Sequence, residues 1–195
     1  MTTVGRSGLT TAAYLRALAS LPDHLRLPVL RREAARDLLL WGRLCYPEVV
    51  RSEYSDLHAD IAGWFDALLP PGERAGRTSP RRVVCGPRGG AKTTLLRLGA
   101  AHRMSHGLED YVAFVGPEAA HCDAEMGAWR AMMDSADRPL LRRLHGAREW
   151  SGNLSDVRVR GGGREVHVSA RPFSGTIRGL NRDGRRPTLV VLDDV

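Results

Sequence analysis

Apolar positions along the chain fall into two regimes. In the first third they recur at helical spacing. Leu57, Ile61, Trp64, Phe65 and Leu68 follow one another at steps of four, three, one and three, which predicts a helix over Ser55–Leu69 with Ser55 as its N-cap. Residues 29–44 also read as helical, with Val29, Leu30, Leu38, Trp41 and Leu44 as the apolar set and Pro47 as the stop, after a loosely ordered or short helical lead over residues 1–28. Pro70-Pro71-Gly72 and the polar stretch to Pro80 read as a linker.

Beyond the linker, strand-like runs alternate with helices. Arg82-Val83-Val84-Cys85 predicts a short buried strand running into a glycine-rich loop at Gly86, then a helix from Lys92 to about Ser105. Tyr111–Val115 predicts a second strand. A helix over about Glu118–Met133 follows, with Cys122, Met126, Trp129 and Met133 on one face, and then a short helix around Pro139–Leu144. Val157–Arg160 and Glu165–Ser169 alternate around Gly161-Gly162-Gly163 and predict a hairpin. The run Thr188–Leu192 is an apolar strand that ends in Asp193 and Asp194. No internal repeat is present. Strands alternating with helices predict an α/β fold whose parallel sheet has both faces covered. The chain divides into a helical segment with its linker, 1–75, and an α/β core, 76–195.

Composition changes this picture in one place. At 195 residues, with 43% hydrophobic and 26% charged residues, the chain fits a globular domain with one sizeable core, and no run approaches the roughly 18 apolar residues of a membrane span. The first 20 residues lack the apolar block of a secretory signal, and the three cysteines, Cys45, Cys85 and Cys122, have neither CxxC nor zinc spacing, so a reduced, intracellular setting is expected. The net charge of +7 suits a polyanionic partner and suits arginine-rich codon usage equally well. The telling detail is that Lys92 is the only lysine: every other cation among the 29 Lys and Arg is arginine. A compact ammonium is kept inside the glycine-rich loop, where a narrow phosphate cradle takes a point charge and not a planar fork.

That loop, Gly86-Pro87-Arg88-Gly89-Gly90-Ala91-Lys92-Thr93-Thr94, follows the phosphate-binding pattern G-x-x-x-x-G-K-[ST] with Ala91 in place of the second glycine. The substitution is expected to be tolerated if the backbone at Ala91 keeps a negative φ. Successive N–H groups from about Gly89 to Thr93 then converge on phosphates at a helix N-terminus, Lys92 reaches the β- and γ-phosphates, Thr93 ligates Mg²⁺, and Thr94 bonds the α-phosphate. A nucleoside triphosphate with Mg²⁺ is the expected ligand. Such a site needs carboxylates at the C-terminal end of a neighbouring buried strand. Asp193 is assigned to the magnesium shell, and Asp194 to orienting or activating water.

Taken with Gly175-Thr-Ile-Arg-Gly179 and Arg186-Pro-Thr-Leu-Val-Val-Leu-Asp-Asp194, the loop resembles the ATPase domain of the large terminase subunit, the DNA-packaging motor of tailed bacteriophages. The resemblance covers roughly residues 50–195. It implies a P-loop NTPase of the additional-strand type: a three-layer parallel sheet with helices on both faces, preceded by a helical segment. It implies ATP hydrolysis coupled to movement of double-stranded DNA into a procapsid, in the host cytoplasm. Portal, small terminase subunit and a ring of copies are the implied partners, with no membrane. It makes Arg88 the cis arginine facing the γ-phosphate, against the alternative of a solvated loop residue. Arg178 stands between a phosphate or DNA contact and a structural ion pair, and Tyr54 and His58 between flanking the base and packing a helix face. Family members continue past the acidic strand with a coupling motif, further strands and a nuclease domain. A truncated product or fragment is therefore expected, with a sheet left incomplete, because a later strand would separate the phosphate-loop strand from the acidic one. The competing readings are another P-loop ATPase of helicase type and a fragment that binds nucleotide or DNA without turnover.

Overall fold

The computed structural model describes residue 16 and residues 19–50, 54–74, 81–85, 91–134, 138–153, 155–174 and 180–193. From Asp23 to Ala67 the described residues of the N-terminal region form three helices. The segment expected as one helix over 29–44 is two, α1 (Asp23–Ala34) and α2 (Leu38–Cys45). The break has one local and one tertiary cause. Asp37 is extended and accepts the Leu40 N–H at 2.8 Å, while Asp66 accepts the Leu38 N–H at 3.0 Å. Two carboxyl groups thus satisfy the first amides of α2, and burial pushes the Asp66 carboxyl up to about 7. Helix α3 (Asp56–Ala67) starts after Ser55, whose backbone N–H donates to the His58 ring at 3.1 Å.

Helix α4 (Lys92–Ser105) crosses α3 closely enough that a Cβ on Gly99 would lie 2.4 Å from the Phe65 ring, so glycine is required there. Strand β1 (Tyr111–Gly116), helix α5 (Ala119–Met133) and helix α6 (Pro139–His145) follow. The stripe Cys122, Met126, Trp129 and Met133 is buried, as its spacing predicts. Strands β2 (Arg148–Asn153), β3 (Asp156–Gly161), β4 (Arg164–Pro172) and β5 (Leu189–Leu192) complete the sheet.

The architecture is α/β, with an open five-stranded sheet in the order β2-β3-β4-β1-β5. The expectation of a parallel sheet needs correction: the sheet is mixed. β1 runs parallel to β4 and β5, while β2, β3 and β4 form an antiparallel meander. The predicted hairpin is present as β3–β4, and it converts the sheet from parallel to mixed because its second strand is the one that docks on β1. The expectation of helices on both faces is not met among the described residues. The helices that pack on the sheet, α5 against β1 and β4 and α4 against β5, share one face with Val112, Phe114, Val168 and Val191.

A further correction concerns Arg82–Cys85. These residues form no strand, and Val83 is 83% exposed. With three apolar residues, Val83, Val84 and Cys85, the run buries too little to hold a place in the ladder, and among the described residues the sheet ends at β5. Among the described residues β5 is the edge of the sheet, and Val190 and Leu192 stand 46% and 51% exposed there. No helix among the described residues is long and apolar enough to cross a membrane.

Buried ionic and aromatic groups fix the helices to one another. Glu109, fully buried between α4 and β1, accepts from Arg103 Nε at 2.6 Å and from Arg74 Nη2 at 2.5 Å. Arg103 also donates to the carbonyls of Phe65, Leu68 and Leu69, and Arg74 donates to the Thr188 carbonyl at 2.7 Å. Removing one member of such a cluster leaves uncompensated buried charge, so Glu109→Gln is expected to cost about 3–5 kcal/mol in a urea titration.

On the opposite side of α4, Trp41 is buried against His102, His106 and His145. His102 Nε2 donates to the Ala34 carbonyl at 2.7 Å, and Trp41 Nε1 donates to His145 Nε2 at 3.2 Å. Burial lowers the pKa of His102 to about 4 and of His145 to about 3, and that of His106 further. Unfolded histidines titrate near 6.5, so below that pH the unfolded chain binds protons that the folded chain does not. Stability is therefore expected to fall as pH drops from about 6.5 towards 4, with about 4 kcal/mol lost by pH 5 from His102 and His145 together. Urea midpoints at pH 7.5 and pH 5 measure this loss, and His102→Gln is expected to flatten the slope.

Candidate functional site

The first residues of α4, the end of β1, the start of α5 and the end of β5 meet at one corner of the sheet. β5 runs parallel to β1 throughout, and the Asp193 N–H donates to the Val115 carbonyl at 3.0 Å, so the ladder itself places Asp193. From the second residue of α4, the Thr93 hydroxyl donates to Asp193 Oδ1 at 3.1 Å. Lys92, half-buried, opens the helix beside Thr93, and Thr94 follows it. The two motifs read separately from the sequence, 100 residues apart, are thus within hydrogen-bond distance.

The environment supplies three groups that sequence reasoning missed. His121 and Glu125, one turn apart on α5, place ligand atoms within 4.8 Å of those of Asp193. A Cβ on Gly116 would meet the His121 ring at 2.6 Å, so the glycine ending β1 lets the ring lie over the strand end. Arg97, one turn after Thr93, grips Glu125 through two hydrogen bonds, from Nε at 2.6 Å and from Nη2. Those bonds are the main cause that raises the Arg97 pKa, and Asp193 adds to it. The spacing of His121 and Glu125, directly after a strand, was the available signal. Its relevance depends on α5 starting beside β5, which is a tertiary fact. Thr93, Arg97, His121, Glu125 and Asp193 line a cleft of about 10 Å³, about enough for one water.

Asp193 Oδ2 is buried without a hydrogen-bond partner among the described residues. A buried, orphaned carboxylate oxygen beside a hydroxyl is the donor set a hard cation takes: oxygen ligands at short reach and a charge to neutralise. The residues present therefore fit Mg²⁺ held by Thr93 and Asp193.

One expectation about the loop is overturned. Ala91, the N-cap of α4, has φ 52° and ψ 22°, in the left-handed region. The chain must turn sharply into the helix here, and that turn sets the backbone whatever residue occupies it. An alanine there stores strain of about 1–2 kcal/mol. The remaining loop residues, Gly86, Pro87, Arg88, Gly89 and Gly90, lie outside the described residues, as do Asp194 and Arg178. Tyr54 and His58 take local roles. The Tyr54 hydroxyl donates to the Leu39 carbonyl at 3.2 Å under the Arg43 guanidinium, and the His58 ring accepts the Ser55 N–H at the start of α3.

Comparison with known proteins adds no relative: no family model, curated protein or solved structure matches the chain.

The geometry of Ala91 makes a stability prediction. Ala91→Gly removes the left-handed strain and offsets the added chain entropy, so its melting temperature is expected to equal or exceed that of the parent. Ala91→Val, β-branched, is expected to lose a further ~1 kcal/mol or more on the same scale. Equal melting temperatures for all three would contradict the left-handed assignment.

Proposed function

We propose that this chain is an ATP hydrolase of the P-loop type, and that it acts as the ATPase part of a viral DNA-packaging motor related to the large terminase subunit. The observation that carries the first half is the 3.1 Å contact between Thr93 and Asp193. A glycine-rich run followed by a lysine and a threonine at a helix start is common chemistry for phosphate, although among the described residues no strand precedes it here. A carboxylate from a distant strand end on that same threonine is what a metal-dependent triphosphate site needs. The second half rests on the sequence resemblance, above all the Arg186–Asp194 run, and on the excess of arginine suited to a DNA backbone.

In this reading Lys92 binds the β- and γ-phosphates through its ammonium, and the first amides of α4 face the same anion at the positive end of the helix. Thr93 and Asp193 hold Mg²⁺, which neutralises charge on the phosphates when bound. Arg97 is held by Glu125, so Glu125 keeps the guanidinium beside Asp193 without itself needing to touch nucleotide. Arg88 would stabilise charge growing on the γ-phosphate, and Asp194 would orient water. Double-stranded DNA, a portal, a small subunit and neighbouring copies in a ring are the proposed partners, in the host cytoplasm.

Phosphate release from ATP, followed with and without double-stranded DNA, tests the proposal. The isolated chain is expected to turn over slowly, as ring motors complete their sites between copies. Lys92→Ala, Thr93→Ala and Asp193→Asn are each expected to lower that rate by about 10²-fold or more while retaining the parent's fold by circular dichroism. Equal turnover in the parent and in Lys92→Ala would remove the catalytic reading.

A further inference from the structure

A second polar cavity, of about 70 Å³, lies at the other end of α4, between the C-terminal ends of α4, α5 and α6 and the β3–β4 turn. A single water needs roughly 10–15 Å³ on the same scale, so the space admits a compact polyatomic ion. The 14 residues of helix from Lys92 to Ser105, about 20 Å, separate this cavity from the start of α4.

Its lining is one-sided in charge. Arg31 from α1, Arg148 from β2 and Arg164 from β4 border it, and no Asp or Glu does. None of the three pairs with a carboxylate among the described residues. Arg148 is the informative one. Its guanidinium donates to Ser105 Oγ at 2.6 Å and to the Met133 carbonyl at 3.3 Å, and burial lowers its pKa. The Tyr46 hydroxyl also accepts from it, and the negative ends of α4 and α5 offset part of its charge, but no carboxylate among the described residues neutralises this desolvated guanidinium. Arg164 reaches in by donating to the Gly107 carbonyl at 2.7 Å.

The fourth wall also carries donors. His145 is 5% exposed, and its Nε2 accepts from Trp41, so Nδ1 holds the hydrogen. Beyond a weak approach to the Ser105 carbonyl, that buried Nδ1–H has no hydrogen-bond partner. Three guanidiniums and an imidazole N–H converging on one small space complement a compact, acceptor-rich dianion. A carboxylate offers two oxygens in a plane, whereas a phosphoryl group offers three in a tetrahedral fan that donors from α1, α6, β2 and β4 can reach together.

We infer that this cavity binds a phosphoryl oxyanion, and that Arg31, Arg148 and Arg164 are its anion ligands. The inference does not rest on the proposed ATPase function, since it uses neither the loop nor Asp193. Two sources share the chemistry: a free phosphate, and a phosphate of a nucleic-acid backbone.

The test uses the full chain with Lys92→Ala as background, so that the phosphate loop cannot supply the signal. Inorganic phosphate is titrated into the protein by calorimetry without Mg²⁺. Saturable binding is expected, weakened about tenfold or more by Arg31→Gln and by Arg164→Gln, the two exposed members, whose folds are checked by circular dichroism. Arg148→Lys, which keeps the charge and loses the fork, is expected to weaken it likewise. A short DNA duplex is then added to the phosphate-loaded protein. Displacement of phosphate assigns the site to a backbone phosphate, and its retention assigns it to free phosphate. Absence of phosphate binding in the Lys92→Ala background overturns the inference, and so does binding that Arg31→Gln and Arg164→Gln leave unchanged. Loss of ATP turnover in Lys92→Ala has no bearing on it, so the two readings fail separately.

Discussion

The buried carboxylate of Glu109 sets the geometry of the candidate site from the far end of the molecule. It sits between the end of α4 and the start of β1, and its two arginines extend the clamp: Arg103 holds the end of α3, and Arg74 holds the start of β5 through the Thr188 carbonyl. Three elements are thereby pinned at one level. From Arg103 α4 runs back ten residues to Thr93, and from Thr188 the chain of β5 runs out five to Asp193, which at 1.5 Å and about 3.3 Å per residue are about 15 Å and about 17 Å. Elements of nearly equal length, pinned at one end, are level at the other. Thr93 therefore meets Asp193 because Arg103 and Arg74 meet Glu109. The hydrogen bond at the site is the consequence of that alignment, and at a half-buried position it is too weak to cause it.

Charge is used differently at the two ends of α4. At its start the helix presents its first-turn amides and the chain's single lysine, with carboxylates brought from α5 and β5. At its end the carbonyl termini of α4, α5 and α6 come together and are met by arginine and by neutral histidines. Basic side chains at the negative pole follow the dipole, and the amides at the positive pole favour an anion directly. An anion in the cavity at the negative pole is held by the arginine side chains against the helix ends. The histidines stay neutral because Trp41 and the surrounding helices exclude water, so they pack as aromatic surface that also carries hydrogen bonds.

What was legible in the sequence divides along the same line between local and tertiary causes. The helices α3, α4 and α5 and the strands β1 and β5 follow from periodicity and from short β-branched runs, because one face of each is buried against the same core. The β3–β4 hairpin follows from its three glycines. Strand β2 was not legible: Arg-Glu-Trp-Ser-Gly-Asn has one large apolar residue, and an outer strand of a meander buries too little to need more. The split between α1 and α2 depends on Asp66, 28 residues away, supplying a second cap to Leu38. At the site, Thr93 and Asp193 could be named because their chemistry is written in contiguous motifs. His121, Glu125 and Arg97 could not, since each is an ordinary helical residue until α4 and α5 are laid beside β5.

The strand that bears Asp193 is also the least supported in the sheet. β5 has four residues, pairs on one side, and turns Val190 and Leu192 outward. An edge strand of that length holds few ladder bonds and opens more readily than a central one. Its far end is secured by Thr188, whose N–H and hydroxyl both donate to the Tyr111 carbonyl and whose own carbonyl takes Arg74. Its near end is secured by the bond from the Asp193 N–H to Val115 and by Thr93. The position of the carboxylate thus depends on anchors outside β5 as much as on β5 itself. It follows that anything drawing Thr93 or the start of α4 towards a bound anion acts directly on the end of β5, whereas β4, paired on both sides, is insulated from it.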